Sequence, residues 1–298
     1  MSATATSYLE RLADRSAATG TVLCLGLDPD PAGLPDGFSR DIAGIERFAL
    51  LILDACLPFA AAVKPNLAFF EAYGSAGWAA LERIRARIPA DVPMIADAKR
   101  GDISSTTARQ VVGYFDHLGV DAVTISPYLG EEAIAAYIER TDRFAYVLCR
   151  TSNPGAADVQ GLRVAARTGR GGSMEAPSEP LWARIARDVA GWGPGGTAGL
   201  VVGATAPDEL RVARAISPGL AILVPGVGAQ GGDIDAVLEV GPATESPAGG
   251  RPGGGLLVNV SRGIPSAAVT RADGAPVDLG ERLAEAARSW SQRLPVLP

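Results

Sequence analysis

The chain has 298 residues, 47% of them hydrophobic, enough to bury a large core as one α/β barrel or as two domains. Its net charge is −6 and its arginines are scattered without a basic stripe, which argues against nucleic-acid binding. No apolar run approaches the roughly 20 residues of a membrane span, and the polar N-terminus has no signal-peptide core, so we expect a cytoplasmic protein.

Metal binding is not expected from the composition. Cys24, Cys56 and Cys149 lie in apolar runs without metal-ligand spacing, and the chain has a single histidine, His117. We therefore expect three reduced core cysteines and no transition-metal site. His117 precedes Gly119 at a predicted helix end, so we give it no catalytic role.

Short apolar runs alternate with segments of helical periodicity along the whole chain. The pattern predicts an N-terminal helix within residues 1–20 and a C-terminal helix and tail at 280–298. The eight predicted strands are Thr21–Leu27, Ala60–Val63, Pro93–Asp97, Asp121–Ile125, Phe144–Cys149, Gly199–Gly203, Ala221–Val224 and Gly255–Val260. The main predicted helices are Ile42–Leu57, Trp78–Ile88, Ser104–Leu118, Glu131–Glu139, Leu181–Ala190 and Pro207–Ala215.

Eight strands alternating with helices predict a parallel sheet, and that number favours closure into a single (β/α)8 TIM barrel spanning residues 1–298 over two domains. Gly-rich stretches at Gly169–Ser173 and Gly191–Gly199 lengthen the connection between the fifth and sixth strands, and Gly241–Gly254 precedes the eighth. We interpret these stretches as surface insertions.

Charged residues end the first three predicted strands: Asp28, Lys64, Asp97 and Lys99, with Asp102 next in the loop. Alternation along a strand places Asp97 and Lys99 on one face. Because TIM-barrel active sites lie at the C-terminal ends of the strands, these five charges are expected to converge on one rim. The competing interpretation is a solvated ion cluster at a loop edge.

Lys64 and Lys99 are the only lysines among 27 basic residues. Unlike a guanidinium, an ammonium group can give up its proton, so two lysines at strand ends suggest chemistry. An alternating array of Asp and Lys charges keeps both lysines protonated. The array thus favours proton donation to a carbanion over Schiff-base formation, which needs a neutral amine.

A glycine-rich segment, Pro225–Asp233, follows the seventh predicted strand and contains the pattern G-x-G-x-x-G from Gly226 to Gly231. As a dinucleotide fingerprint it is weak, because no strand-ending acid follows about 20 residues on. TIM barrels often bind phosphate after strands seven and eight, and Arg262 ends the eighth. We therefore interpret the segment, including the backbone at Gly228, as a phosphate loop; a flexible turn with a surface arginine is the alternative.

Several motifs together resemble the orotidine 5′-phosphate decarboxylase family, in particular its longer bacterial branch. The match runs in order from Asp28 to Arg262, although the Asp-x-Lys-x-x-Asp element alone is shared with sugar-phosphate decarboxylases. The motifs are Asp97-x-Lys99-x-x-Asp102-Ile103, Ser152-Asn153-Pro154-Gly155, Val227–Asp233 and Ser261-Arg262-Gly263, with Lys64 on the preceding strand. The resemblance implies a TIM barrel that converts orotidine 5′-phosphate to UMP and CO2 in pyrimidine biosynthesis, without metal or organic cofactor.

The resemblance also implies a role for each matching residue near the reacting bond. Lys99 would protonate C6 of the pyrimidine as the carboxylate leaves, and Asp97 would face that carboxylate and help to hold Lys99. Asp28 and Lys64 would bind ribose hydroxyls, and Lys64 would complete the charge array.

The remaining implied contacts involve the base, the phosphate and a second subunit. Ser152 would bind the pyrimidine, while Gln230 and Arg262 would hold the phosphate under a closing loop. Asp102 and Thr106 would reach into the neighbouring subunit's site, which implies a homodimer.

Three other functions stay open at this point. A metal-dependent sugar-phosphate decarboxylase or aldol-type enzyme on the same barrel needs an acidic metal ligand where this chain has Lys64. A Schiff-base lyase would use Lys64 or Lys99 as a nucleophile. A non-catalytic nucleotide-binding barrel would bind UMP without releasing CO2.

Overall fold

The computed structural model describes residues 6–165, 178–228, 230–248, 251, 255–269 and 278–297. Its strands, in chain order, are β1 Leu23–Leu27, β2 Ala62–Pro65, β3 Ile95–Arg100, β4 Ala122–Ile125, β5 Phe144–Arg150, β6 Arg163–Ala165, β7 Ser178–Pro180, β8 Ala198–Val202, β9 Ala221–Pro225 and β10 Leu256–Val260. All but β6 and β7 correspond to the eight predicted strands.

Those eight strands form one parallel sheet in the order β2-β1-β10-β9-β8-β5-β4-β3. The two ends of the sheet meet, because parallel bridges join Val63 to Met94 and Asn66 to Asp97. Across this seam the Val63 amide donates to the carbonyl of Pro93 at 2.9 Å. The predicted (β/α)8 barrel is confirmed.

Helices surround the barrel and close its lower end. They are α1 Tyr8–Thr19, α2 Ile42–Cys56, α3 Ala68–Glu71, α4 Gly74–Arg87, α5 Ser104–Val111, α6 Ala135–Ile138, α7 Ala156–Gln160, α8 Leu181–Val189, α9 Pro207–Ile216, α10 Ile234–Val240, α11 Gly263–Val269 and α12 Leu279–Arg293. A π-helical segment, Val112–His117, continues α5. Among the described residues no helix is long and apolar enough to cross a membrane.

The strands bury both faces, so they read as nearly continuous apolar runs. On β1, Leu23, Leu25 and Leu27 pack against the helices, whereas Cys24 belongs to the cluster inside the barrel. Side chains thus alternate between an outer core and an inner core. The charged residues at the strand ends lie above the inner core, at the C-terminal end of the barrel.

Helix α1 closes the lower, N-terminal end of the barrel. It begins with a capping box between Ser7 and Glu10 and ends at Gly20, whose φ of 70° suits glycine. Its Tyr8 is fully buried among inner-core residues, and its hydroxyl shares a hydrogen bond of 3.1 Å with that of Tyr146. Among the described residues, the interior is therefore filled from below, and the cavity that Lys64 and Asp97 line opens at the C-terminal rim.

The predicted insertions are only partly described. Gly169–Ser173 lies outside the described residues, as does part of Gly241–Gly254. On either side of the first gap, β6 and β7 pair as an antiparallel hairpin that the sequence did not predict. The three cysteines are free and buried, as predicted, and burial raises the pKa of each thiol to about 12.

Candidate active site

A cavity of about 500 Å³ opens at the C-terminal ends of the barrel strands. This is where TIM-barrel enzymes place their active sites. Eight of the ten predicted site residues line it: Asp28, Lys64, Asp97, Lys99, Ser152, Gly228, Gln230 and Arg262. Residues widely spaced in the chain therefore converge on one space of nucleotide size.

Both lysines of the chain bind the same carboxylate. Lys64 Nζ donates to Asp97 Oδ2, and Lys99 Nζ donates to Asp97 Oδ1 at 2.6 Å. The side chains of Lys64 and Asp97 are only 4% and 12% exposed, whereas that of Lys99 is 52% exposed. Lys64 and Asp97 thus form a buried pair, and Lys99 forms the part of the array that faces the open cavity.

The array fixes the charges of its buried members. Burial alone would lower the pKa of Lys64, but the carboxylates of Asp97 and Asp28 outweigh it and raise that pKa. Burial likewise would raise the pKa of Asp97, yet Lys64 and Lys99 hold it well below its usual value. Lys64 is therefore an ammonium and Asp97 a carboxylate at neutral pH, and Lys64 is poorly suited to act as a Schiff-base nucleophile.

The strand that carries Asp97 and Lys99 is irregular. Ala96 pairs with Val123 and Arg100 with Ile125, so β3 has more residues than β4 over this interval. Within this bulge Lys99 has a φ of 50°, the only positive φ among the described non-glycine residues. A left-handed backbone costs such a residue about 1–2 kcal/mol. Asp97 and Lys99 nevertheless share the inner face, as the alternation predicts, while Ala98 between them packs against the outer core.

Two buried oxygen atoms in the cavity wall have no hydrogen-bond partner within the described residues. They are Oδ1 of Asp28, after β1, and Oδ1 of Asn259, on β10. The Nδ2 group of Asn259 donates to Ser261 Oγ at 3.1 Å. Because an unpaired buried acceptor is costly, these two oxygens mark positions for hydroxyl donors of a ligand or for water.

The predicted phosphate loop meets the loop after β5. Ser152 Oγ donates to Gln230 Oε1 at 2.9 Å. Gly226 begins the turn with a φ of 101°, a conformation that favours glycine. Arg262 is exposed at the end of β10 and lines the same cavity. The Arg262 guanidinium and the Gln230 amide therefore lie in the loops after β10 and β9, where TIM barrels commonly bind phosphate.

Asp102 and Thr106 do not line the cavity of the single chain. Asp102 Oδ1 accepts from the Ile103 amide at 2.8 Å, just before α5, and Thr106 is exposed. Ile103 is itself 61% exposed, and in the loop after the neighbouring β4, Tyr128 is 87% exposed. Asp102 and Thr106 are thus separate from the site within one subunit, and they lie near exposed apolar side chains.

The sequence analysis missed Thr124, Asn259 and Gln160, all of which line the cavity. Thr124 and Asn259 each interrupt an apolar strand at an inward position, a signal that could have identified them. Gln160 lies on α7, which was not predicted, and its side chain bonds both the backbone amide and the hydroxyl of Thr151. Within the described part of the chain, no group of three or more His, Cys, Asp or Glu side chains is arranged to hold a metal ion.

The chain is similar to known proteins over most of its length. The model of the orotidine 5′-phosphate decarboxylase / HUMPS family matches residues 21–275. Orotidine 5′-phosphate decarboxylase of Herpetosiphon aurantiacus is 44% identical over 281 residues, 93% of each chain, and that of Roseiflexus castenholzii is 44% identical over 275 residues, 91% of this chain and 90% of the other. The structure of Leishmania donovani OMP decarboxylase is 34% identical, with a TM-score of 0.77 over 96% of this chain and 97% of that one.

A parallel TIM barrel with its functional residues at the C-terminal rim defines a barrel enzyme, here of the carboxy-lyase class. The chain belongs to the orotidine 5′-phosphate decarboxylase family.

Proposed function

We propose that the protein decarboxylates orotidine 5′-phosphate to UMP and CO2 in de novo pyrimidine biosynthesis, with no metal or organic cofactor. The observation that carries this proposal is the meeting of both lysines on Asp97, in the cavity that Gln230 and Arg262 also line. An acid–base group and a phosphate-binding group thus face one ligand-sized space.

In the proposed reaction the bond between C6 and the carboxylate breaks and its electron pair stays on C6. The Lys99 ammonium then transfers a proton to C6 while CO2 leaves, and the neutral amine regains a proton from water. Lys99 suits this role because its half-exposed side chain reaches both the cavity and solvent. Its positive charge also stabilises the carbanion as it develops.

Asp97 and Lys64 act as the fixed part of the array. Asp97 faces the departing carboxylate and orients Lys99. Its Oδ1 atom accepts a hydrogen bond of 2.6 Å from the Lys99 ammonium. Lys64 compensates the charge of Asp97 and is buried on β2 beside it. Because these charges are held before the substrate arrives, little reorganisation is needed in the transition state.

The rest of the cavity binds the nucleotide. Asp28, whose Oδ1 has no partner among the described residues, accepts from a ribose hydroxyl, and Lys64 donates to another. Ser152 contacts the pyrimidine. Gln230, Arg262 and the backbone at Gly228 hold the phosphate. Binding energy from the phosphate then favours loop closure and contributes to the rate at a distance from C6.

The active enzyme is proposed to be a homodimer. Asp102 and Thr106 of each subunit would complete the site of the other, which agrees with their position outside the cavity of one chain. Ile103, Tyr128 and Leu129, all at least half exposed after β3 and β4, supply apolar surface for such a contact. A cytoplasmic location is supported by the three unpaired cysteines.

A spectrophotometric assay with orotidine 5′-phosphate, in buffer containing EDTA, tests the proposal. We expect full turnover to UMP and CO2 with chelator present. Activity that is lost on chelation and restored by Mg2+ would indicate the metal-dependent sugar-phosphate class. Borohydride trapping of a substrate adduct would indicate a Schiff base, and UMP binding without CO2 release would indicate a non-catalytic barrel.

A further inference from the structure

Thr124 lies on β4, directly beside the bulge of β3. Its side chain is buried, and it points into the barrel interior, where it lines the cavity below Asp97 and Lys99. The inward positions that precede it in the barrel are apolar, for example Ala122 on the same strand and Ile95 on β3. A hydroxyl group at this position therefore needs polar partners.

The Thr124 hydroxyl finds three partners, all on the bulge. It donates to Asp97 Oδ1 at 3.0 Å and accepts from the backbone amides of Ala98 and Lys99, each at 3.0 Å. A hydroxyl has one donor and two acceptor lone pairs, so its whole hydrogen-bonding capacity is used.

These contacts replace the hydrogen bonds between β3 and β4 that are interrupted at the bulge. Between the Ala96 and Arg100 pairings, β3 is out of register with β4, and Thr124 Oγ1 stands in for a ladder carbonyl at the amides of Ala98 and Lys99. Lys99 is also the residue with a φ of 50°. A strained conformation of this kind persists only where the surroundings hold it.

We propose that Thr124 is a positioning residue, which holds the Asp97–Lys99 bulge so that the Lys99 ammonium and the Asp97 carboxylate meet in the reactive geometry. For its effect on catalysis the inference rests on the proposed function. It acts through Asp97 and Lys99 and needs no contact with the nucleotide.

The test compares Thr124→Val, which keeps the shape and removes the hydroxyl, with Thr124→Ser, which keeps the hydroxyl. Thr197→Val is the matched control: Thr197 is also buried, and its hydroxyl donates to the Ile138 carbonyl at 2.6 Å, away from the cavity. For each variant we would measure kcat, KM, the dissociation constant of UMP and the melting temperature.

For Thr124→Val we expect kcat to fall about 10- to 100-fold, because a displaced reacting group loses its alignment, with KM and UMP affinity changed less than about twofold. Thr124→Ser should recover most of kcat. Thr197→Val should lose stability and keep kcat. An unchanged kcat in Thr124→Val, or a loss of UMP affinity as large as the loss of kcat, would overturn the inference.

Crystal structures of the two Thr124 variants provide a measurement that does not depend on turnover. In the valine variant we expect the Lys99 φ to leave the positive range or the 2.6 Å contact between Lys99 and Asp97 to open, and in the serine variant we expect neither change. An unaltered bulge in Thr124→Val would refute the positioning role even if the wild-type protein had a different substrate. If the wild-type protein showed no turnover, but the bulge was altered in Thr124→Val and preserved in Thr124→Ser, the proposed function alone would be refuted.

Discussion

Lys64 and Asp97 bind each other across the seam at which the barrel closes. Lys64 lies on β2 and Asp97 on β3, strands that are joined by isolated bridges and not by a continuous ladder. The ion pair at the centre of the site therefore also links the first and last strands of the sheet order. Removing one partner should affect both stability and activity.

Asp97→Asn should lower the free energy of unfolding by about 3–5 kcal/mol near pH 7, because it leaves the Lys64 ammonium buried without its main counter-charge. In the wild-type protein the lowered pKa of Asp97 stabilises the fold above the usual carboxyl range, and the raised pKa of Lys64 stabilises it below the usual lysine range. The pair thus contributes between about pH 4 and pH 10.

The stability of Asp97→Asn should depend on alkaline pH in the opposite direction to that of the wild type. Without Asp97, only the carboxylate of Asp28 opposes the effect of burial, so we expect the pKa of Lys64 to fall below its usual value. The unfolded state then binds more protons, and stability rises as pH increases from neutral toward about 10. Urea unfolding at pH 7 and pH 9.5 measures this. Asp54→Asn, at an exposed pair with Arg87, is the control and should change little. Equal stability and an equal pH slope for Asp97→Asn and the wild type would contradict the prediction.

Lys99→Ala should reduce turnover by about 10⁴-fold or more, since it removes the proposed proton donor together with its positive charge. The fold should survive, because Asp97 stays paired with Lys64. Single-turnover assays together with a thermal melt measure the two effects. Wild-type turnover in this variant would refute the role of Lys99.

Arg262→Ala should lower kcat/KM for orotidine 5′-phosphate by about 10- to 100-fold, the value of one hydrogen bond to a charged group. The same variant should turn over the nucleoside orotidine, which lacks the phosphate, as slowly as the wild type does. A parallel assay of both substrates measures the difference. An equal loss for the two would show that Arg262 does not act through the phosphate.

Mixing of subunits tests the proposed dimer. Lys99→Ala and Asp102→Ala should each be nearly inactive alone, but a heterodimer of the two has one site with both native residues. Random exchange at equal amounts should restore about a quarter of wild-type activity. Light scattering should give twice the chain mass. Activity that stays at the sum of the two variants would place Asp102 outside the neighbouring site.

The barrel could be predicted from sequence because its strands are continuous apolar runs with turn signals between them, and the strand ends placed Asp28, Lys64 and Asp97 at one rim. The bulge could not, since the pattern Ile95–Arg100 looks like a regular strand and only pairing with β4 reveals the extra residues. Thr124 interrupts the apolar run of β4, which marks it as a candidate site residue, but its hydrogen bonds to the bulge become visible only when β3 is placed beside β4.

Some site features depend on three-dimensional packing alone. The unpaired Oδ1 atom of Asn259 is recognisable only once β10 is seen to face the cavity. The contact between Ser152 and Gln230 joins two loops that are far apart in the chain, and no local pattern records it. The roles of Asp102 and Thr106 stay predictions, because they depend on the site of a second subunit.

The way in which α1 fills the lower end of the barrel has a consequence for traffic through the enzyme. Tyr8 and Tyr146 fill the inner core at that end, and among the described residues the cavity that holds the site opens at the opposite, C-terminal rim. In the proposed reaction, CO2 formed beside Lys99 would leave through the same rim that the nucleotide occupies. Substitutions that narrow the rim should therefore delay the departure of both products, whereas changes at Tyr8 should weaken the barrel without providing a second exit.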